Sequence, residues 1–141
     1  MKASLEPGLK HRITFKVTDS KTVPALYPES GEFGQMPAVF ATGYMVGLFE
    51  WCCTELLQMH LDEGEGSLCT VVNFTHDAAT PPGLTVTVDC EITEVDGKRV
   101  KFTVVGHDGV DKIGGGTHER FVINRAKFDE RVAAKAAKAA A

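Results

Sequence analysis

The sequence of 141 residues lacks an apolar run that could cross a bilayer without meeting a charge, since a spanning helix needs about 20 consecutive apolar residues. Its first residues, MKASLEPGLKHR, contain no hydrophobic signal core. Basic clusters are also missing, because 15 basic and 19 acidic residues are scattered to a net charge of −4. These absences predict a cytoplasmic protein that binds neither membranes nor nucleic acids.

Cysteine and histidine do not occur at the spacings that bind metals or carry redox chemistry. No CxxC is present, and the adjacent pair Cys52-Cys53 fits neither a zinc knuckle nor a redox pair. The five histidines are dispersed, and His118-Glu119 lacks the second histidine of a zinc-protease helix. We therefore predict no metal and no cofactor, and expect all the thiols to be core residues. They are Cys52, Cys53, Cys69 and Cys90.

One charged residue stands out in the most apolar segment, residues 37–57. Glu55 lies near the polar end of this segment, whereas Glu50 lies among apolar neighbours. Shielding from water raises the pKa of a carboxyl group unless a donor holds its charged form. A strand-like segment further along ends at His76. A shielded carboxylate and a strand-end histidine indicate acid/base or nucleophilic chemistry, although a structural glutamate bound to the backbone or to a partner subunit is the simpler interpretation.

Apolar periodicity predicts one long helix and five strands. The helix covers about residues 39–61 and ends at the turn sequence DEGEG. Strict alternation of apolar and polar residues is typical of strands with one buried face. The strands are predicted at 11–17, 67–76, 84–93, 100–104 and 110–124, with hairpin signals at Asp96-Gly97 and Asp108-Gly109.

Two segments depart from simple periodicity. Residues 18–36 form a loop of unusual length, and such loops are often functional lids. A lid over a pocket and a dimer contact are equally good interpretations here. Three consecutive glycines, residues 114–116, interrupt the last strand, and they indicate a bulge or the close approach of another backbone or a ligand.

The order of elements predicts an α+β protein with the hotdog fold, in which an antiparallel sheet wraps around one long central helix. Sheets of this kind commonly pair edge to edge, so we expect a homodimer. Residues 1–128 are predicted to form a single domain. Residues 129–141 form an Ala/Lys-rich tail, interpreted as a frayed helix or a non-native addition.

Several runs of residues resemble those of a known family, the fluoroacetyl-CoA thioesterases, which are a branch of the hotdog thioesterases. The resemblance extends over about residues 21–128 and is collinear without obvious gaps. The runs that carry it are LYPES, VFATGYMVGLFEW, EGEGSL, THDAATPPGLTVTV and HDGVDKIGGGTHER.

This resemblance implies hydrolysis of a short-chain acyl-CoA thioester at a dimer interface. It implies a catalytic set of Thr42, Glu50 and His76, all of which are present. It places Arg120 where the family contacts the substrate or its coenzyme. Coenzyme A would then be part of the substrate, and no further cofactor is implied.

Two positions near the implied site depart from the fluoroacetyl-specific enzyme. Met36 stands where that enzyme has a lid phenylalanine, while the neighbouring Phe33 is retained. Cys69 stands where it has a glycine that would let a backbone amide approach the thioester. We therefore expect hydrolase activity with a weaker preference for the fluorinated substrate. Gly43 would leave room for pantetheine or an acyl group, or would pack closely against a strand.

Each implied residue also has a plainer interpretation. Thr42 is a natural helix N-cap, and His76 could simply bond a backbone carbonyl. Arg120 could form a salt bridge with a nearby acid, and Phe33 and Met36 are more often packing residues. Within one continuous helix Thr42 and Glu50 would be about 12 Å apart, so they could act together only if Thr42 precedes the regular helix or a partner subunit intervenes.

Two other functions are compatible with a hotdog fold. A non-catalytic acyl-CoA binding module would use the same pocket without hydrolysis. A hydratase would place an aspartate and a histidine close together on one helix, and that pair is absent, although His76-Asp77 imitates it at a strand end. The retained threonine, glutamate and histidine favour hydrolysis.

Overall fold

The computed structural model describes residues 1–141 and contains one antiparallel sheet, two long helices and two short ones. The sheet has the strand order β1-β3-β4-β5-β2. Its strands are β1 Lys10–Lys16, β2 Glu65–His76, β3 Thr85–Asp96, β4 Arg99–His107 and β5 Lys112–Asn124. The helices are α1 Val23–Leu26, α2 Gly31–Gly34, α3 Thr42–Gln58 and α4 Arg125–Ala140, and a 3₁₀ turn covers Asp19–Lys21. The predicted α+β class is confirmed.

Helix α3 lies on the sheet and contacts four of its strands, β1 to β4. Its apolar residues recur at helical spacing and are buried, which explains why this segment is helical. They are Met45, Leu48, Phe49, Cys52, Cys53, Leu56 and Leu57. The helix begins three residues later than predicted, because Ala41 is extended and Phe40 instead forms an isolated β-bridge with Thr22.

The inner face of the sheet is built from the alternation seen in the sequence. Four apolar side chains of β3 and three of β4 are buried against α3, while their neighbours along each strand face outward. The buried residues are Val86, Val88, Cys90, Ile92, Val100, Phe102 and Val104. The turn between these strands contains Gly97 at φ 59°, as the hairpin signal predicted.

Two of the three glycines of β5, Gly114 and Gly116, allow the backbone of β2 to approach closely, as one of the predicted alternatives required. A Cβ atom at Gly114 would lie 2.2 Å from the carbonyl oxygen of Thr75, and one at Gly116 would lie 2.0 Å from that of Asn73. Larger residues would therefore collide with the backbone of β2. The close approach fixes the register in which His76 pairs with Gly114.

The segment predicted as a long loop is not structureless. It contains the 3₁₀ turn and the two short helices α1 and α2. The rings of Tyr27 and Phe33 pack with their centroids 6.0 Å apart, and α1 contacts α3. Helices of four residues are too short to give a periodic signal, which is why the sequence did not predict them.

The C-terminal tail forms a single helix, α4, in which no residue is buried. The side chain of Asn124 caps it by accepting a hydrogen bond from the backbone N–H of Lys127. The boundary predicted between residues 128 and 129 falls within this helix. None of the helices is long and apolar enough to span a membrane.

Candidate active site

Thr42 and His76 meet where α3 begins and β2 ends. The Oγ1 atom of Thr42 lies 2.7 Å from Nδ1 of His76. Ala41 is the N-cap residue of α3, and no side chain caps this end, so Thr42 does not have the capping role that was the plainer interpretation. We call these two residues the Thr42–His76 pair.

The chain on either side of His76 holds it in place. The backbone N–H of Asp77 donates to the carbonyl of Ile113 at 2.7 Å, which anchors the end of β2 to β5. The second ring nitrogen of His76, Nε2, is buried and has no hydrogen-bond partner. Buried polar atoms are rarely left unpaired, so such an atom calls for an explanation. A substrate atom or a water molecule bound at Nε2 would provide one.

Glu50 lies two turns further along α3 and has a cationic partner. Its Oε1 atom is 3.4 Å from Nη1 of Arg120, and its side chain is 37% exposed. Shielding of Glu50 is therefore only partial in the single chain. Arg120 is nevertheless present as the positively charged partner of this side chain.

Arg120 is fixed by four groups of the same chain, two of Ser67 and one each of Glu50 and His118. Its Nε donates to Oγ of Ser67 at 2.8 Å, and its Nη2 donates to the carbonyl of Ser67 at 2.9 Å. Its Nη1 faces Glu50, and its side chain is only 5% exposed. The salt bridge considered as the plainer interpretation is thus formed. In this chain the guanidinium faces the carboxylate of Glu50, and the predicted contact of Arg120 with the substrate or its coenzyme stays a prediction.

His118 completes the surroundings of Glu50 and was not among the residues predicted from the sequence. Its Nδ1 lies 2.8 Å from the carbonyl of Val71, and since a carbonyl only accepts, Nδ1 carries the proton. Nε2 therefore has a free lone pair and accepts from Nη1 of Arg120 at 3.3 Å. Burial lowers the pKa of His118, and the charge of Arg120 lowers it further. The ring is neutral and acts as an acceptor.

Cys69 lies directly across the strand pair from Arg120. The register of β2 shifts just after it, between Cys69 and Val71, and such a bulge redirects side chains. The residue is exposed, unlike Cys52, Cys53 and Cys90, so the expectation that all four thiols are core residues was wrong for Cys69. Desolvation of its sulfur raises the pKa of the thiol, and the charge of Glu50 adds to this.

Glu50, Cys69, His118 and Arg120 together are called the Glu50 cluster below. The sequence analysis named Glu50, Cys69 and Arg120 but not His118, and it did not predict that the four side chains would lie together. The one available signal was the alternation of β5, which places His118 and Arg120 on the same buried face of the strand.

The Thr42–His76 pair and the Glu50 cluster are separate groups within one chain. Thr42 is the first residue of α3, and Glu50 lies eight residues further along the same regular helix, a rise of about 12 Å. Of the two conditions set by the sequence for their cooperation, the first is therefore not met. Participation of a second subunit remains.

The family resemblance places Phe33, Met36 and Gly43 around the substrate. In the chain, Phe33 and Met36 precede α3, and Gly43 is in its first turn. Phe33 is partly buried against Tyr27, whereas Met36 is 47% exposed. A Cβ atom at Gly43 would lie 3.2 Å from Cδ2 of Leu26. The close packing of Gly43 is thus against helix α1, where the sequence argument had expected a strand.

An apolar groove runs along the exposed side of α3. Its volume is about 190 Å³. A Cβ atom at Gly47 would meet nothing within 4 Å, so the groove is open at this position. The groove is lined by Phe15, Lys21, Phe40, Tyr44, Gly47, Leu48 and Trp51.

The arrangement of sheet and helix defines the class of protein. A hot-dog-like protein from Thermanaerovibrio acidaminovorans superposes on the chain with a TM-score of 0.79 at 23% identity, over 93% of each chain. This likeness confirms the predicted hotdog fold.

A closer likeness gives the family. The model of the fluoroacetyl-CoA-specific thioesterase family FlK matches residues 10–126. A fluoroacetyl-CoA thioesterase of Streptantibioticus cattleyicolor is 53% identical over 135 residues, which is 96% of this chain and 97% of the relative. A crystal structure of a variant of the thioesterase FlK in complex with fluoroacetate and CoA has a TM-score of 0.86 at 54% identity, over 88% of this chain and 99% of that chain. The chain belongs to the fluoroacetyl-CoA-specific thioesterase family.

Proposed function

We propose that the chain is an acyl-CoA thioesterase that hydrolyses a short-chain acyl-CoA to the free acid and coenzyme A. The observation that carries the proposal is the Thr42–His76 pair, with its short hydrogen bond and its buried, unpartnered Nε2 atom. Membership of the thioesterase family supports it, because the relative from Streptantibioticus cattleyicolor is a fluoroacetyl-CoA thioesterase.

In the proposed reaction water attacks the thioester carbonyl and the coenzyme A thiolate leaves with one proton. His76 moves this proton at Nε2, either taking it from water or giving it to the leaving sulfur. Thr42 holds the imidazole ring through Nδ1. The two tautomers of the ring reverse the direction of that hydrogen bond, since either partner can donate.

Glu50 supplies the carboxylate of the proposed reaction. It either activates the attacking water molecule, or it first attacks the thioester carbonyl, which releases the coenzyme A thiolate and forms a mixed anhydride that water then hydrolyses to the free acid. Arg120 restricts the carboxylate to one orientation, because Ser67 in turn fixes Arg120. Arg120 is thus a positioning residue in this proposal, and Phe33, Met36, Gly43 and Cys69 surround the acyl group and pantetheine.

A homodimer is part of the proposal because the two edges of the sheet differ. Edge strand β1, KHRITFK, carries Lys10, Arg12 and Lys16, and such charges protect an edge from pairing. Edge strand β2 has no charged residue between Cys69 and Thr75, and it exposes Val71 and Val72. Pairing through β2 would cover these side chains and bring a second subunit to the region between the Thr42–His76 pair and the Glu50 cluster.

The proposed reaction needs only water besides the acyl-CoA, so no cofactor is proposed, and coenzyme A enters as part of the substrate. A cytoplasmic location, where acyl-CoA is made and used, stays a prediction. Membranes and nucleic acids are not proposed as partners.

The oligomeric state is tested by light scattering at micromolar concentration, and a monomer mass would contradict the dimer.

The experiment that tests the activity measures thiol release from a panel of thioesters. Acetyl-, fluoroacetyl-, propionyl-, butyryl- and an aromatic acyl-CoA are incubated with the purified protein and a thiol-reactive dye. We expect turnover that is fastest for the short acyl groups. Tight binding of acyl-CoA without release of thiol from any of them would favour the alternative, a non-catalytic binding module.

A further inference from the structure

His118 has the hydrogen-bond arrangement of a metal-binding histidine. Such histidines donate one ring N–H to a carbonyl or carboxylate and present the other nitrogen to the metal. Here Nδ1 donates to the carbonyl of Val71. The lone pair of Nε2 is directed into the Glu50 cluster, where it accepts from Nη1 of Arg120 in the metal-free chain. The ring is fully buried, so this nitrogen is held in place.

Glu50 and Cys69 bring two further ligand atoms to the same point. One ligand atom each from Glu50, Cys69 and His118 lie within 4.8 Å of one another. Ligand atoms around tetrahedral zinc are separated by about 3–4 Å, given bonds of about 2.0–2.3 Å. The three atoms must therefore converge slightly. Cys69 is exposed and Glu50 is partly exposed, so both can rotate toward the fixed imidazole.

We propose that Glu50, Cys69 and His118 form a binding site for a thiophilic divalent cation of the zinc group. A carboxylate, a thiolate and an imidazole are ligands that suit zinc, and a fourth position open to water completes the tetrahedron. Binding transfers the Cys69 proton to solvent and replaces Nη1 of Arg120 on Glu50 and His118. The bound metal occupies the carboxylate that hydrolysis requires, so it inhibits the enzyme; this consequence, unlike the site itself, rests on the proposed function.

Arg120 limits the strength of this site and makes Cys69 decisive. Its guanidinium stays bound to Ser67 and keeps one positive charge beside the ligands. With Arg120 and Glu50 alone, the net charge of the site is zero. Ionisation of the Cys69 thiol makes the net charge −1, which attracts a cation. The metal is thus a reversible inhibitor and not a resident part of the fold, and its affinity depends on the thiol.

Binding is tested with Cd²⁺ on the untagged protein, reduced with a phosphine that does not chelate metals. The thiolate-to-cadmium absorption reports coordination by sulfur. We expect it to saturate at about one equivalent per chain. In Cys69→Ser it should be absent although three other thiols remain, and in Glu50→Gln the Kd should rise at least about tenfold. Glu55→Gln, on the same helix and paired with His11, is the matched control and should bind like the wild type.

Inhibition is tested with Zn²⁺ by following the loss of thioester absorbance, since a dye assay would suffer from binding of zinc to free thiol. Each variant is compared with its own metal-free rate. We expect EDTA to restore the wild-type rate and the Zn²⁺ concentration for half-inhibition to be at least about tenfold higher in Cys69→Ser. Unchanged cadmium absorption in Cys69→Ser, or none in the wild type, would overturn the site. The cadmium measurement needs no turnover, so an inactive protein would refute the proposed function while leaving the site intact.

Discussion

The Thr42–His76 pair and the Glu50 cluster contain the same kinds of group, but they are satisfied to different degrees. In the pair, one hydrogen bond holds the imidazole and its second nitrogen is unpartnered. In the cluster, both nitrogens of the imidazole are bonded and every side of Arg120 is occupied. A histidine with a free nitrogen can transfer a proton, whereas one with both nitrogens engaged supports its neighbours. In the proposed reaction the pair therefore serves as the group that transfers the proton, while the cluster holds a carboxylate.

The largest effect is expected when either reacting group is removed. Glu50→Gln and His76→Ala should each lower kcat/KM by roughly 10²-fold or more, which is typical of a general acid or base. The double variant should lose little more than either single one, because residues that act as a unit lose their joint effect once.

Two measurements keep this prediction open to contradiction. Glu55→Gln changes a carboxylate on the same helix that is bound to His11, and it should keep wild-type activity. Circular dichroism confirms that each variant is folded. If folded Glu50→Gln retains near-full activity, the glutamate is structural and the carboxylate role proposed for the cluster is wrong.

The next effect concerns whether the pair and the cluster meet across two subunits. The test uses a heterodimer of one Glu50→Gln chain and one His76→Ala chain, purified through two different tags. If each site combines Glu50 of one subunit with His76 of the other, one site carries both changes and the other carries neither. The heterodimer should then recover about half of the wild-type activity, since a two-fold dimer has two equivalent sites. A heterodimer as inactive as its parents would place each complete site within a single subunit.

A smaller effect is expected from Met36 and Cys69, which in the proposed function surround the acyl group. A pocket distinguishes groups that differ by one small substituent by only about 1–3 kcal/mol. Met36 is flexible and exposed, and a methionine adapts to several shapes without specifying one. We expect a weak preference for fluoroacetyl-CoA over acetyl-CoA in the wild type, increased about tenfold by Met36→Phe with Cys69→Gly. Strong selectivity that the double change leaves unaltered would show that neither position determines specificity.

The strands could be predicted because one-sided burial leaves a period of two in the sequence. Val86 to Ile92 alternate with polar residues, and no tertiary knowledge is needed to recognise the buried face. The start of α3 could not be located, because Phe40 and Ala41 are apolar residues whose extended conformation is imposed by pairing with Thr22.

The candidate site could be predicted from the sequence only in part. Glu50 and His76 stood out as a carboxylate in an apolar segment and a histidine at a strand end. Thr42 entered only through the family resemblance, since no local pattern indicates that residues 42 and 76 share a hydrogen bond. Ser67 and His118 were missed, because their roles arise from the register between β2 and β5. Long-range pairing of strands determines which side chains become neighbours, and a single sequence does not reveal it.

The smallest effect tests the neutral state of His118, on which the description of the cluster depends. Burial lowers its pKa in the folded protein, whereas the unfolded chain titrates near 6.5. Above that pH both states are neutral and the residue causes no pH dependence. As the pH falls below about 6.5, the unfolded chain takes up a proton first and stability declines, until the pH passes the lower folded pKa. One proton gives a slope of at most about 1.4 kcal/mol per pH unit. Urea unfolding from pH 8 to pH 5 should therefore show a steeper loss for the wild type than for His118→Gln, in which all other titrating groups are retained. Parallel curves would mean that His118 is protonated equally in both states and that the cluster is less closed than its hydrogen bonds indicate.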